Sequence, residues 1–197
     1  MATTAITRRD IVALGTYRQG REEYLRKMIA YKKNRRIKLN PDISLLFENR
    51  NTVLFQIQEL VNSEDLEDAN EIQEYIDIYA PMIPEAGQLS ATLFIEKDDQ
   101  EKLTEMLVQL KGIEHHLTLV VEGEKVAAVF EEEHDDREFT TSVHYLKFPL
   151  TNTAYERLVE GDASTLDVHV VLGHPNLQAD VKLSPEMIAS LAKDLHP

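Results

Sequence analysis

Tyrosine and arginine residues recur along one predicted helix at spacings of three and four residues. The residues on this face, called the Tyr/Arg seam below, are Tyr17, Arg21, Tyr24, Met28, Tyr31 and Arg35. Aromatic rings that alternate with guanidinium groups can bind an anionic ligand, an acidic protein partner or single-stranded nucleic acid, because stacking and charge contacts act together. In the alternative interpretation, the rings pack ring-down and the arginines meet the acidic segment 64–77 of the same chain.

Further basic residues follow the seam within a few positions. They are Lys32, Lys33, Arg35, Arg36 and Lys38. So dense a run exceeds what a single surface ion pair needs, and it favours binding of phosphate or of an acidic partner. The residues predicted to bind a partner or an anion are therefore Tyr17, Arg21, Tyr24, Tyr31, Lys32, Lys33, Arg35 and Arg36.

Carboxylates and one histidine form a second candidate set, with oxygen and nitrogen donors that suit Mg²⁺, Mn²⁺ or iron. Its members are Glu48, Glu59, Glu96 and His144, of which Glu48, Glu59 and His144 are also the catalytic candidates. A divalent metal requires these side chains to converge, and their spacing alone does not show convergence. The alternative is that Glu48 and Glu59 pair with Arg35, Arg36 or Arg50, and that His144 forms hydrogen bonds within a sheet. The single Glu-x-x-His spacing, 131–134, falls in a predicted loop.

Charge is distributed unevenly along the chain. Residues 1–40 hold 11 Lys and Arg against 3 acids, a net charge of +8, and the rest hold 10 against 32, a net charge of −22. The segment 51–96 contains ten carboxylates and no Lys or Arg. A total of −14 disfavours attraction to nucleic acid or to anionic lipid, so we expect the basic residues to meet a protein partner or the chain's own carboxylates.

Several classes of function are excluded or disfavoured by what the sequence lacks. With no cysteine there is no disulfide, thiolate nucleophile or zinc–thiolate site. No Gly-x-Gly-x-x-Gly, phosphate-loop or Gly-x-Ser-x-Gly pattern occurs, which disfavours nucleotide-loop and serine-hydrolase chemistry. The apolar stretches are too short to span a bilayer and no secretory signal is evident, so we expect a cytoplasmic protein with no cofactor.

The first part of the chain, 1–82, has helical periodicity. A short helix near Thr7 and Asp10 is expected to be interrupted at Gly15, and a long basic helix follows over 16–36. Acidic helices are predicted from about 51 and over 66–79, where Pro81 and Pro84 end the pattern.

The remainder, 83–197, changes to a period of two, which is typical of strands. Strand, helix and hairpin alternate in the order βαββ over 88–132 and βαββα over 139–196, separated by an acidic loop at 131–138. We therefore predict an α+β fold in which the helical segment packs on one mainly antiparallel, six-stranded sheet, with a C-terminal helix capped by Ser184. The two regions are expected to form one compact unit.

Short motifs spread over most of the chain resemble those of the bacterial family called domain of unknown function 3501. They are the runs 32–36 (KKNRR), 46–50 (LFENR), 56–59 (QIQE), 83–84 (IP), 89–96 (LSATLFIE) and 143–148 (VHYLKF). The resemblance implies no activity, cofactor or catalytic residue. It does imply a redox context, since members are encoded near rubrerythrin-like and iron–sulfur electron-transfer proteins.

Two functions follow from these observations. The first is a non-catalytic binding or accessory protein whose basic Tyr/Arg helix and acidic helical face engage a partner, either a redox protein or a second copy of the chain. The second is a small metal-binding protein or enzyme that uses the carboxylate and histidine set. The sequence favours the first and does not decide whether the protein is an enzyme.

Overall fold

A computed structural model of the chain, which describes residues 5–130 and 138–195, confirms the α+β class. The chain divides into two compact units. Met1–Asn34 and Glu48–Pro84 form the helical unit, and Arg35–Phe47 and Glu85–Pro197 form the sheet unit. The predicted loop at 131–138 and the Glu-x-x-His spacing at 131–134 lie outside the described residues except at residue 138.

The helical unit contains three α-helices and two short 3₁₀ turns. The α-helices are α1 (Leu14–Lys33), α2 (Arg50–Ser63) and α3 (Ala69–Tyr79), and the turns are Arg8–Asp10 and Ala80–Met82. Its core is apolar and draws on all three helices and both turn regions. The buried residues are Ile6, Leu14, Val53, Ile57, Val61, Ile76 and Met82.

A side-chain cap explains where α2 begins. The Asn49 side chain accepts hydrogen bonds from the backbone N–H groups of Asn51 and Thr52, and the Thr52 hydroxyl accepts one from the Asn49 N–H. Because this capping box satisfies donors that a helix start leaves open, it fixes the start of α2. The predicted interruption at Gly15 is wrong. Gly15 lies in the first turn of α1, which continues unbroken to Lys33.

The described part of the sheet unit has nine strands, three α-helices and one short 3₁₀ helix, Ile113–His116. The strands are β1 (Arg36–Asn40), β2 (Ile43–Glu48), β3 (Gln88–Ile95), β4 (Leu117–Val121), β5 (Glu124–Ala127), β6 (Val129–Phe130), β7 (Val143–Pro149), β8 (Val168–His174) and β9 (Leu177–Lys182). The helices are α4 (Gln100–Gln109), α5 (Asn152–Glu160) and α6 (Pro185–Leu195). As predicted, the Ser184 hydroxyl accepts a hydrogen bond from the Met187 N–H at the start of α6.

The expectation of one six-stranded sheet is wrong, because the strands form two antiparallel sheets. One has the order β1-β2-β3-β7-β6, and the other has the order β5-β4-β8-β9. Two features account for the difference. The last strand that the βαββ order predicts in 88–132 divides at Ala128, so that β5 pairs with β4 while β6 pairs with β7. In addition, β1 and β2 add a hairpin that helical periodicity did not predict.

The long basic helix ends before the predicted boundary. Asn34 terminates α1, and the chain turns into β1 and then β2, with Ile37 opposite Leu45. All six residues of β2 are buried. A short apolar run of this kind, Ile-Ser-Leu-Leu-Phe-Glu, is typical of a strand without a solvent face. Arg35 and Arg36 therefore do not continue the helical face of the Tyr/Arg seam.

Both sheets contribute to a single apolar core in the sheet unit. The rings of Phe47 and Phe148 lie 6.1 Å apart between centroids, and Leu191 of α6 is fully buried in the same core. Along β8 the buried positions alternate with partly exposed ones, as expected for a strand with one covered face. Of the helices in the described ranges, none is long and apolar enough to cross a membrane.

Candidate binding surfaces

The Tyr/Arg seam packs against α2, where one carboxylate, that of Glu59, contacts two seam residues. Glu59 accepts a hydrogen bond from the Tyr17 hydroxyl at 2.5 Å. Its two oxygens also accept hydrogen bonds from Arg21, from Nε at 2.9 Å and from Nη2 at 2.6 Å. A planar guanidinium that contacts both carboxylate oxygens forms the geometrically most specific type of ion pair. The charge of Arg21 is therefore compensated within the helical unit.

Aromatic contacts continue the seam toward the end of α1. The ring of Tyr24 lies edge-on to those of Tyr17 and Phe55, with centroids 5.9 and 5.6 Å away. The Tyr31 hydroxyl accepts a hydrogen bond from Asn49 Nδ2 at 2.6 Å. Lys32 Nζ lies 4.5 Å from the Phe55 ring centroid, within range of a cation–π contact. These contacts are the ring-down packing that the alternative interpretation of the seam predicts.

The ionisation of the seam follows from this geometry. The hydrogen bonds from Arg21 lower the pKa of Glu59 below its ordinary value. Burial, together with the neighbouring Glu59 carboxylate, raises the pKa of Tyr17. Glu59 is therefore an anion and Tyr17 a neutral donor at neutral pH, so the two groups and Arg21 form one satisfied cluster.

The acidic partner of the seam differs from the one expected. Arg21 meets Glu59 of α2 instead of a carboxylate of segment 64–77. Arg18, which lies outside the seam, does reach that segment, where its Nη2 contacts Asp65 at 2.5 Å. The reason is that α2 lies directly against the seam, so Glu59 is the carboxylate within reach of Arg21. The carboxylates of α3 are left out of this network.

Arg35 lies in the interior of the sheet unit. Its guanidinium is fully buried, donates from Nε to the Phe47 carbonyl at 2.9 Å and from Nη1 to Ser190 Oγ at 2.9 Å, and pairs with Asp194. The sequence interpretation did not identify Ser190 or Asp194 as partners. Their spacing of four residues in the predicted C-terminal helix was the available signal, because it places both on one helix face.

Arg36 points to a more open environment. Its Nη1 lies 3.7 Å from a carboxylate oxygen of Glu96, and its guanidinium carbon lies 4.8 Å from the Phe94 ring centroid. The Glu96 side chain is 64 % exposed. Lys33 is exposed at the last position of α1. Of the basic residues in 32–36, Lys33 is thus exposed, whereas Lys32 and Arg36 are half-buried and Arg35 is buried.

The proposed ligand set of carboxylates and histidine is divided among separate local environments. Glu59 is held by Arg21, and the buried Glu48 accepts a hydrogen bond from the Thr52 hydroxyl. His144 is buried on β7, with Nε2 2.9 Å from both Thr140 Oγ1 and the Thr141 carbonyl oxygen. Across residues 5–130 and 138–195, no three His, Asp or Glu side chains are grouped closely enough to hold a metal ion.

Two exposed helix faces carry charge around an isoleucine. The acidic face of α3 consists of Glu71, Glu74, Asp77 and Ile78, and the basic face of α1 consists of Arg26, Ile29 and Lys33. Ile78 is 64 % exposed and Ile29 is 68 % exposed. In the described part of the chain, no ion pair involves Glu71, Glu74, Arg26 or Lys33. Each face thus has an exposed apolar side chain with charges around it, as an apolar centre with a polar rim has on a larger scale in protein-binding surfaces.

Together, these observations define an α+β protein with two antiparallel sheets and a helical unit whose Tyr/Arg seam is internally paired. The chain belongs to the family described as protein of unknown function (DUF3501), whose model matches residues 5–195. The resemblance seen in its short motifs is thereby confirmed. A crystal structure of a novel protein of unknown function from Burkholderia pseudomallei K96243 is similar to the chain, with 32 % identity and a TM-score of 0.89, over 97 % of this chain and 99 % of that one. None of the curated proteins matches.

Proposed function

We propose that this chain is a non-catalytic binding protein that engages a basic protein partner through the acidic face of α3. One observation carries the proposal. The helical unit contains a strongly basic helix, yet among the described residues the carboxylates of Glu71 and Glu74 form no ion pair with it, and Arg21 and Arg18 contact Glu59 and Asp65 instead. The uncompensated charge surrounds an exposed isoleucine, Ile78.

The chemistry of the partner follows from this face. Exposed carboxylates attract Lys and Arg side chains over a Debye length of about 8 Å at physiological ionic strength, which favours rapid and salt-sensitive association. The apolar contact at Ile78 supplies the part of the interface that excludes water. The redox context implied by the family resemblance makes an electron-transfer protein with a basic surface the first partner to look for.

Site-specific photo-crosslinking in the native cell tests the proposal. A photoreactive phenylalanine analogue replaces Ile78, and a matched control replaces Val108, which is 53 % exposed on α4 of the sheet unit. We expect a discrete crosslinked product at position 78 that is absent at position 108. The double variant Glu71→Lys/Glu74→Lys should remove this product. Equal labelling at both positions, or labelling that survives charge reversal, would contradict the proposal.

A second copy of the chain is a specific case of such a partner, because the basic face of α1 complements the acidic face of α3. Light scattering during size-exclusion chromatography distinguishes this case. Self-association should give a larger mass at low salt that falls to the monomer mass as salt is added, and Ile29→Lys should prevent it. A monomer at every salt concentration would exclude a second copy and leave a different basic protein as the partner to be identified by crosslinking.

A further inference from the structure

A pocket of about 530 Å³ opens in the helical unit, between the first 3₁₀ turn, the start of α1 and the region where α2 leads into α3. Its apolar lining includes Leu14, Val61 and Ile72, of which Leu14 and Val61 are buried in the core. Pockets of roughly 300–1,000 Å³ with mainly apolar walls are typical binding sites for small organic molecules.

Two arginines at the pocket distinguish it from a packing defect. Arg8 and Arg9 both line it, and both are exposed. The adjacent carboxylate, Asp10, is already used by Arg50 Nη2 at 2.6 Å and by the Thr7 backbone N–H at 2.8 Å. Glu67 also lines the pocket. Within the described residues, no ion pair joins Arg8 or Arg9 to Glu67 or to any other acid.

The start of α1 adds to the positive potential beside these arginines. Ala13 is the N-cap residue, so no side chain accepts a hydrogen bond from the N–H groups of the first turn. Ala13 and Gly15 both line the pocket. Open N–H groups at a helix start carry partial positive charge, which supports the arginines in attracting an anion.

From the combination of an apolar pocket and two uncompensated guanidinium groups we infer a binding site for a small amphipathic carboxylate. The apolar part of the ligand lies against Leu14, Val61 and Ile72, and its carboxylate accepts hydrogen bonds from Arg8 and Arg9. A neutral apolar molecule would leave both cations without a counter-charge, and a small anion without an apolar part would leave the pocket unfilled. The residues that line this pocket do not include those of the acidic face of α3.

Gly15 provides a way to block the pocket without disturbing its arginines. A methyl group added at its Cα would meet no heavy atom within 4 Å, so a larger side chain has room there. Gly20, on the same helix, has the same freedom but does not line the pocket. Gly15→Leu should therefore narrow the pocket, whereas Gly20→Leu is the matched control for the effect of removing a helical glycine.

Isothermal titration calorimetry of the full chain tests the site with three probes. Octanoate has the apolar tail and the charge, 1-octanol has the tail alone, and acetate has the charge alone. We expect octanoate to bind about tenfold more tightly than 1-octanol, as charge-assisted hydrogen bonds predict, and acetate not to bind measurably. Arg8→Gln/Arg9→Gln should reduce the affinity for octanoate to that for 1-octanol without changing the latter.

Variants that narrow the pocket complete the test. Gly15→Leu should weaken binding of octanoate and of 1-octanol at least tenfold, and Gly20→Leu should weaken neither. Equal affinities for octanoate and 1-octanol, an octanoate affinity that is unchanged in the arginine variant, or unchanged octanoate binding in a folded Gly15→Leu variant would each overturn the inference. Circular dichroism of each variant shows whether it is folded. The arginine variant changes only exposed side chains, so it decides the question even if Gly15→Leu does not fold.

Discussion

Arg21 and Arg35 belong to the same predicted seam, yet they form two very different ion pairs. Arg21 meets Glu59 in the helical unit with 40 % of its side chain exposed, whereas the side chain of Arg35 is fully buried beside Asp194 in the sheet unit. A buried charge that loses its partner is far more costly than an exposed one, since solvent cannot replace the lost contact. We therefore expect loss of the Arg35–Asp194 pair to lower stability much more than loss of the Arg21–Glu59 pair, which mainly orients α1 against α2.

The largest expected effect is that of Asp194→Asn. The substitution keeps the shape of the side chain but removes the charge opposite the buried guanidinium, and should lower the free energy of unfolding by about 3 kcal/mol. Urea denaturation followed by circular dichroism measures it. Glu156→Gln, at an exposed position of α5, is the matched control and should have no measurable effect. A loss below about 1 kcal/mol for Asp194→Asn would show that the other contacts of Arg35, which include Ser190 and the Phe47 carbonyl, compensate for the lost charge.

Glu59→Gln is the equivalent substitution in the helical unit and should have a smaller effect. It removes the charge that Arg21 and Tyr17 share, but water can reach the partly exposed pair, so we expect a loss of about 1 kcal/mol. Hydrogen exchange should show the weakening in α1 and α2. Glu74→Gln, whose carboxylate forms no ion pair in the described structure, is the control. A loss as large as that of Asp194→Asn would remove the distinction between the two ion pairs.

The comparison also shows what helical periodicity could and could not predict. Tyr17, Arg21 and Tyr24 do share one face, because spacings of three and four residues place side chains together on any α-helix. The end of that helix was predicted too late, because Arg35 continues the same spacing by coincidence. The helix ends at Lys33, and this end assigns Arg35 to the sheet unit.

Partners distant in the sequence could not be predicted from local patterns. Asp194 lies far along the chain from Arg35, and only the tertiary fold brings them together. Similarly, the division of the β5 and β6 strands between two sheets depends on pairing with β4 and β7, while the local sequence reads as one continuous strand. By contrast, the helix that the βαββα order predicts after the first strand of 139–196 is present as α5, where local signals suffice because Thr151 caps its start and Gly161 follows its end.

The pH dependence of stability offers a finer test of the exposed ion pair. Arg21 holds the pKa of Glu59 below its ordinary value of 4.5. A carboxylate with a lowered folded-state pKa contributes stability that is complete above the unfolded-state pKa and is lost as the pH falls through the folded-state pKa. The stability difference between the wild type and Glu59→Gln should therefore be constant above about pH 5.5 and shrink below pH 4.5. Other carboxylates with lowered pKa values, such as Asp10 and Asp167, occur in both the wild type and the variant, so their contributions cancel in the difference. A difference that does not change with pH would show that the charge of Glu59 is irrelevant to the pair.

The smallest expected effect concerns a third contact, which extends the comparison to the exposed surface of the sheet unit. His169 Nδ1 lies 2.6 Å from Asp180 Oδ1 on the neighbouring strand, and Nε2 lies 3.1 Å from Asp167 Oδ1. Asp180, followed by Asp167, raises the pKa of His169 above its ordinary value of 6.5. The stabilising contribution is therefore complete below pH 6.5 and is lost as the pH rises through the folded-state pKa.

Asp180→Asn should lower the pKa of His169 toward 6.5, as measured by the chemical shifts of its ring protons during an NMR titration. Asp167→Asn should lower it less, because Asp180 makes the shorter contact and Asp167 is also engaged by Lys182. Neither substitution should change the urea midpoint measurably at pH 7, because both carboxylates are more than half exposed and solvent screens the contact. A pKa that stays raised in Asp180→Asn would assign the shift to Asp167 instead. A measurable loss of stability would show that solvent exposure is a poor guide to the strength of an ion pair. It would also weaken the distinction between the Arg21 and Arg35 pairs, which rests on exposure.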